Sequence, residues 1–260
     1  MSTWVLLRGL TRESGHWGRF PEQLRACLPG ASVVTLDLPG SGRWHGSPCP
    51  ARIGALVDDC RQQLDALGAR RPIHLLALSL GAMVAVDWAH HWPDELAGCV
   101  LINTSLRPLS PFYPRLRPAN YPALLRLALL PHGAREREAA ILRLTSARAL
   151  ALTAVIDDWV AIRQARPVSA TNALRQLWAA ARYRAPSYPP EVPMLLLASE
   201  RDSLVDPCCS QRLARAWGLP IALHPSAGHD LPLDDGPWLA EQVRCWAEAP
   251  AQQTRPARGA

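Results

Sequence analysis

Short runs of apolar residues alternate along this chain with longer segments in which apolar residues recur every three or four positions. The runs predict buried strands, and the amphipathic segments between them predict helices. The predicted strands are Trp4 to Leu7, Val33 to Leu36, Ile73 to Leu78, Cys99 to Ile102, Pro193 to Leu197 and Ile221 to Leu223. This alternation is typical of an α/β fold with a mostly parallel, doubly wound sheet of about six strands.

The amphipathic segments between the strands predict the helices. Amphipathic segments predict one helix from His16 to Leu28 and another from Ala51 to Leu67, the second closed by Gly68. Between residues 105 and 185 the pattern changes, because five prolines interrupt residues 108–122 and helical periodicity then runs from about Ala123 to Arg182 without a strand. We predict a core of residues 1–104 and 186–248 with a helical cap inserted at 105–185, or helices that only extend the core. Residues 249–260 are polar, and we expect them to be disordered.

One junction between a strand and a helix has no room for a loop. The strand from Ile73 runs directly into Ser79, and helix-forming residues begin at once behind it and end before Pro93. A turn this sharp requires strained backbone geometry and small neighbours, and Ala77 and Gly81 are small. The serine would then project above the sheet as a nucleophile. The alternative is a serine that only caps the helix.

The sequence Ala77-Leu78-Ser79-Leu80-Gly81 resembles the nucleophile elbow of the α/β-hydrolases, which is commonly G-x-S-x-G. Alanine at the first small position departs from that form but agrees with the looser pattern of small residues around the nucleophile. The resemblance implies an α/β-hydrolase fold, with an inserted helical cap over the acyl pocket, and catalysis by Ser79.

The loop after the first strand, Arg8-Gly9-Leu10, stands where this family usually has His-Gly-x. The resemblance implies that the backbone N–H groups of Leu10 and Leu80 form an oxyanion hole. Arg8 in place of histidine is a departure that puts the anchoring of this loop in question. We assign Arg8 and Thr11 as candidate substrate contacts.

Two later segments resemble the sites of the family's catalytic acid and base. After the strand at residues 193–197, Asp202 matches the family pattern Asp-x-[Leu/Ile]-Val, with Glu200 as the alternative acid. His229 lies on a glycine-preceded loop after the last strand, where the family carries its base. The order Ser79, Asp202, His229 is also the family's order, so the resemblance implies a catalytic triad.

The composition excludes several kinds of catalytic chemistry. The chain of 260 residues contains no lysine, which excludes Schiff-base catalysis and the lysine-dependent phosphate loop. Its seven cysteines are scattered and odd in number, which favours reduced thiols over a disulfide framework. Neither a C-x-x-C pair nor an H-E-x-x-H motif occurs. We therefore expect no metal site and no cofactor.

Charge and hydropathy bear on location and partners. No run of about 18 apolar residues occurs, and the first residues lack the features of a signal peptide, so we expect a cytoplasmic protein without stable membrane insertion. Residues 104–185 contain 13 arginines and four acidic residues, a net charge of +9 within a chain of +6. These arginines lie on solvated helix faces, or they form a positive rim that favours anionic acyl carriers or membrane surfaces. No nucleic-acid motif is present, and the oligomeric state is not predicted.

The predicted function is hydrolysis of a small-molecule carboxylic ester through an acyl-enzyme intermediate. The basic cap favours an acyl thioesterase as the alternative. A different class also stays open, in which the scaffold binds a ligand or partner without catalysis. Amides, lactones and carbon-carbon bonds are further possible targets, because one triad can cleave all of them.

Overall fold

The computed structural model describes residues 2–249, and its centre is one sheet of six parallel strands. The strands are β1 (Thr3–Leu7), β2 (Ser32–Leu36), β3 (Ile73–Leu78), β4 (Leu96–Ile102), β5 (Met194–Ser199) and β6 (Ile221–His224). Their order across the sheet is β2-β1-β3-β4-β5-β6. Every neighbouring pair is parallel, so all six carboxyl ends lie at one edge. The prediction of an α/β fold with about six mostly parallel strands is confirmed.

Ten α-helices accompany the sheet within residues 2–249. They are α1 (Phe20–Cys27), α2 (Ile53–Ala66), α3 (Leu80–His91), α4 (Phe112–Arg115), α5 (Tyr121–Leu129), α6 (Ala134–Thr145), α7 (Val155–Ala165), α8 (Ala170–Arg182), α9 (Cys208–Trp217) and α10 (Leu231–Glu248). The predicted single helix from His16 to Leu28 is wrong at its start. A 3-10 turn at Ser14–Trp17 comes first, and Gly18 interrupts the helix with a φ of 53°.

The sheet is covered on both faces, and alternate residues of each strand supply the two cores. On one face, Trp4 and Leu6 of β1 pack with α1 and α10. On the other face, Val5 and Leu7 pack with α2, α3 and α9. This alternation follows from the two-residue period of a strand, and burial on both sides explains why the strands consist almost entirely of apolar residues.

All α-helices between β4 and β5 belong to the interval that the sequence assigns to a cap, and the structure has no strand of the sheet there. An isolated bridge between Arg107 and Arg184 joins the two ends of the interval. Helix α8 is fixed to the rest of the fold through a buried amide, because Asn172 accepts a hydrogen bond from the Cys49 N–H at 2.9 Å. The domain boundaries at residues 105 and 185 stay a prediction.

The helices that the structure describes include none that is both long and apolar enough to cross a bilayer. Residues 250–260, which make up nearly all of the tail predicted to be disordered, lie outside the described residues.

Candidate active site

Ser79 occupies the turn between β3 and α3 in a conformation that is rare for a residue with a side chain. Its φ is 56° and its ψ is −111°. The turn is tight because the helix begins against the end of the neighbouring strand: a Cβ atom on Gly81 would lie 2.5 Å from the carbonyl oxygen of Leu7. Only glycine is accommodated there without displacing β1. Strained backbone of this kind concentrates at functional sites, and the side chain of Ser79 is partly exposed.

The loop after β1 lies directly against Ser79. A Cβ atom on Gly9 would be 3.2 Å from Ser79 Cβ and 3.8 Å from Ser79 Oγ. The loop is shaped by a hydrogen bond from the Arg12 N–H to the Gly9 carbonyl at 3.2 Å. Leu10, a predicted oxyanion donor, is therefore held in a loop that touches the serine. Leu80, the other predicted donor, is the first residue of α3.

Asp202 and His229 meet at the same edge of the sheet. Asp202 Oδ2 and His229 Nδ1 are 2.7 Å apart, and both side chains are buried. Asp202 Oδ1 accepts hydrogen bonds from the Leu204 and Val205 N–H groups at 2.8 and 2.9 Å, which fixes the carboxylate. The alternative acid, Glu200, is exposed and is not bonded to His229. Within residues 2–249, no hydrogen bond joins Ser79 to His229.

The surroundings of His229 favour its protonated form. Burial alone would lower the pKa of His229, but attraction and hydrogen bonding to Asp202 outweigh burial and raise this pKa above its ordinary value. The neighbouring Asp230 adds to the effect, while Arg8 opposes it. A histidine held in this way has one nitrogen fixed by a carboxylate and the other left for proton transfer.

Asn103, directly after β4, is a further residue at this edge that the sequence patterns did not single out. Its Nδ2 donates to the carbonyl of His229 at 2.8 Å and to Ser199 Oγ at 3.1 Å. Its Oδ1 accepts from the Ser199 N–H at 2.9 Å, and its φ is 45°. Asn103 thus joins the ends of β4 and β5 to the histidine loop. A polar residue at the carboxyl end of a buried strand was the only signal for it.

Arg8 forms a buried ion pair with the residue that follows His229. Its guanidinium is buried, and Nη1 and Nη2 donate to Oδ1 and Oδ2 of Asp230 at 3.0 and 2.6 Å. Both terminal nitrogens therefore bind a carboxylate next to His229, and a substrate contact of Arg8 stays a prediction. Burial would raise the pKa of Asp230, but Arg8 lowers it below its ordinary value.

Helices α6 and α8 contact the loop after β1 through several polar side chains. The Thr11 N–H donates to Gln176 Oε1 of α8 at 2.8 Å, so this group of Thr11 is bound to α8, while a substrate contact of its side chain stays a prediction. Arg12 donates to Glu138 of α6 at 2.7 Å, and Arg163 of α7 binds the same carboxylate. Glu138 is fully buried, so these two cations hold it inside the structure.

Metal binding finds no support in residues 2–249. This part of the chain has no cluster of three or more histidine, cysteine, aspartate or glutamate side chains arranged to hold an ion. Aspartate and histidine occur at the site as a hydrogen-bonded pair next to a serine loop. Such a pair is suited to proton transfer.

A parallel sheet of this order, with a serine on a strained turn between a strand and a helix, defines an α/β-hydrolase. The resemblance stated from the sequence is thereby confirmed. A family model described as Serine aminopeptidase, S33 matches residues 2–235, and the chain belongs to this family.

Individual relatives share either a part of the sequence or the fold. A pimeloyl-[acyl-carrier protein] methyl ester esterase of Chromobacterium violaceum is 34% identical over 105 residues, which are 40% of this chain and only 37% of that protein. An esterase from Thermogutta terrifontis superposes with a TM-score of 0.73 at 23% identity, covering 95% of this chain and 89% of the other. An enol-lactonase from Burkholderia xenovorans gives 0.75 at 19% identity, with coverage of 95% and 92%. At these identities the two structures establish the fold alone.

Proposed function

We propose that this protein is a serine hydrolase that cleaves a carboxylic ester through a triad of Ser79, His229 and Asp202. The observation that carries the proposal is the buried hydrogen bond of 2.7 Å between Asp202 and His229, at the edge of the sheet where Ser79 stands on a strained turn. A serine hydroxyl is a weak nucleophile unless a base accepts its proton, and a base works best when a third group orients it.

In the proposed reaction, Ser79 Oγ attacks the acyl carbonyl carbon while His229 Nε2 accepts the hydroxyl proton. The carbonyl oxygen becomes an oxyanion, which accepts hydrogen bonds from the Leu10 and Leu80 N–H groups. The tetrahedral intermediate collapses, the bond to the leaving oxygen breaks, and His229 returns its proton to the departing alcohol. Water then attacks the acyl-enzyme by the same route and releases the acid. Catalytic hydrogen bonds often shorten only when substrate binds, and the Ser79 to His229 bond is proposed to form at that stage.

An acyl thioester is the second candidate substrate, and one observation favours it. The cap interval has a net charge of +9, which attracts anionic acyl carriers. One relative, over 40% of this chain, is named as a methyl ester esterase of an acyl group on an acyl-carrier protein, which supports the ester as the first candidate. The proposed substrate is otherwise a small-molecule acyl ester. A cytoplasmic location stays a prediction.

A substrate panel separates these candidates. It contains aryl esters of graded acyl length, acyl-CoA thioesters, a lactone, and an amino-acid aryl amide as a test of peptidase activity. The ester proposal predicts the highest kcat/KM for an aryl ester, with little change between low and high salt. A preference for acyl-CoA that weakens as salt rises would favour the thioesterase instead. If neither a substrate nor a serine-reactive fluorophosphonate probe reacts, the scaffold without catalysis becomes the better description.

The raised pKa of His229 predicts the pH dependence of the reaction. Only neutral imidazole accepts the proton of Ser79, so kcat/KM rises with pH as His229 deprotonates. Because Asp202 outweighs burial and raises this pKa, the acid limb of the profile should have its midpoint above about 6.5, the ordinary value for histidine. The measurement is kcat/KM for an uncharged aryl ester between pH 5 and about 9. A midpoint near 5 would contradict the proposed pairing.

The ion pair of Arg8 and Asp230 predicts a large effect away from the reacting atoms. Arg8→Gln leaves the Asp230 carboxylate buried without its cation, and loss of one partner of a buried pair typically costs about 3–5 kcal/mol of folding stability. We expect a loss of this size in urea unfolding, with a lower kcat because the loops of Leu10 and His229 are no longer joined. The double variant Arg8→Gln/Asp230→Asn should recover part of the stability.

A matched control uses an ion pair that is exposed. Arg135 and Asp157 also form a salt bridge, but their side chains are 65% and 69% exposed. Arg135→Gln should change the stability by no more than about 1 kcal/mol. Equal losses for Arg8→Gln and Arg135→Gln would show that the Arg8 pair has no special structural role.

A further inference from the structure

The segment from Phe112 to Leu130, which we name the α4–α5 surface, exposes an unusual number of large apolar side chains. Phe112 is 73% exposed, Leu129 is 70% exposed and Leu125 is 59% exposed. The other exposed large apolar residues of the segment are Tyr113, Tyr121 and Leu130. Single exposed apolar residues are common, but six of them within 19 residues are not explained by packing among residues 2–249.

Helix α5 shows the same feature most clearly. Its sequence from Tyr121 to Leu129 is almost entirely apolar, with Arg126 as the one charged residue. Leu127 is the only buried residue of the helix. A helix that only covers a core normally turns its apolar stripe inward and its polar residues outward. Here apolar side chains face solvent, so the described part of the chain leaves an apolar surface of this helix uncovered.

The charged residues in the sequence around this surface are all positive. Residues 105–135 contain five arginines and no aspartate or glutamate. Arg117 and Arg135 are paired with carboxylates from elsewhere in the chain, Asp206 and Asp157. Arg126 is exposed and, within residues 2–249, forms no ion pair. Together with the formal charge of +6, this favours an anionic partner.

The α4–α5 surface is also attached to the edge of the sheet that carries the candidate site. Asn120 Nδ2 donates to the Ser203 carbonyl at 2.7 Å, and the Arg117 N–H donates to the Leu204 carbonyl at 3.0 Å. Ser203 and Leu204 directly follow Asp202. Whatever binds this surface is therefore held close to the loop of Asp202.

We propose that the α4–α5 surface docks this protein on an anionic lipid bilayer. An amphipathic element with protruding leucine and aromatic side chains and nearby arginines lies in the headgroup region, with apolar groups inserted and cations among the lipid phosphates. A bilayer accepts side chains that protrude on several sides of α5, without a groove that matches them. Binding is peripheral, in agreement with the lack of a membrane-crossing helix among the described helices.

A second copy of this chain is a less suitable occupant. In a two-fold dimer through this surface, each arginine would face the same positive surface of the other copy, with no acidic residue of the segment to offset it. The alternative of a second copy becomes an outcome of the test below.

The test measures binding of the full chain to vesicles by flotation, so it does not depend on any enzymatic activity. Vesicles are made of phosphatidylcholine alone or with about 30% phosphatidylglycerol, where anionic lipid attracts basic surfaces. We expect binding to the anionic vesicles that weakens as salt rises. Leu125→Gln/Leu129→Gln should reduce the partition coefficient by about tenfold or more, because two inserted leucines are lost. Arg126→Gln should reduce binding to anionic vesicles only.

The control is Leu67→Gln, which replaces a leucine that is 52% exposed just after α2, outside the cap. Its partition coefficient should be within about twofold of the wild-type value, because a residue at this position does not insert into the bilayer. Failure of the wild type to bind anionic vesicles, or equal losses in the control and the α5 double variant, would overturn the proposal. Loss of a concentration-dependent dimer in the double variant, without vesicle binding by the wild type, would assign the surface to a second copy instead.

Discussion

Ser79→Ala should lower kcat/KM for the best ester by about 10⁴-fold or more, because no other group can form the acyl-enzyme. The oxyanion donors and the binding pocket remain, so a small residual rate above the uncatalysed reaction is expected. The same variant should lose all labelling by a fluorophosphonate probe. Rates are compared under single-turnover conditions, which separate the acylation step from product release.

Two controls make this result specific. Ser226→Ala removes an exposed serine near the histidine loop and should leave kcat/KM within about twofold of the wild type. Thermal unfolding of Ser79→Ala should be unchanged or slightly raised, because the strain at φ 56° belongs to the backbone turn. Substantial activity in Ser79→Ala would end the proposal of a serine nucleophile.

The second large effect is expected for Asp202→Asn, with a loss of about 10⁴-fold in kcat. Asparagine has nearly the same shape, but it offers no negative charge to the imidazolium and can hold the wrong histidine tautomer. The acid limb of the pH profile should also move to lower pH. The reason is that burial, which lowers the pKa of His229, is then no longer outweighed by Asp202.

Glu200→Gln is the matched control for this variant. Glu200 is the other carboxylate just beyond β5, and it is exposed, so its replacement should change kcat less than about twofold. A larger loss for Glu200→Gln than for Asp202→Asn would assign the acid to Glu200. A pH profile that does not move in Asp202→Asn would contradict the role of this carboxylate in raising the pKa of His229.

Local patterns in the sequence were enough to predict the architecture. The strands around Val5, Leu75 and Leu196 are apolar runs because a parallel sheet is buried on both faces, and they lie where the runs predict them. The turn at Ser79 was predictable for a similar reason. A strand and a helix without a loop between them leave one backbone solution, and Gly81 is required where the helix meets β1. The error at the first helix came from Gly18, whose left-handed conformation divides an otherwise continuous amphipathic pattern.

The pairing of Asp202 with His229 could be predicted only in part from the sequence. The sequence placed both residues at carboxyl ends of strands by resemblance, and left Glu200 as an alternative acid. The choice between the two acids depends on the direction of each side chain, which the loop after β5 determines through the N–H groups of Leu204 and Val205. That geometry has no local signature in the sequence.

The sequence by itself determined the α/β fold, the strained serine turn and the family, because each of these follows from residues that are close along the chain. Only the tertiary structure decided that Arg8 binds Asp230, that Asn103 holds the histidine loop and that α5 faces solvent. Arg8 and Asp230 are 222 positions apart, so their contact exists only after the sheet has brought the ends of β1 and β6 to one edge. Burial then makes the pair obligatory, since neither charge is stable inside the protein without the other.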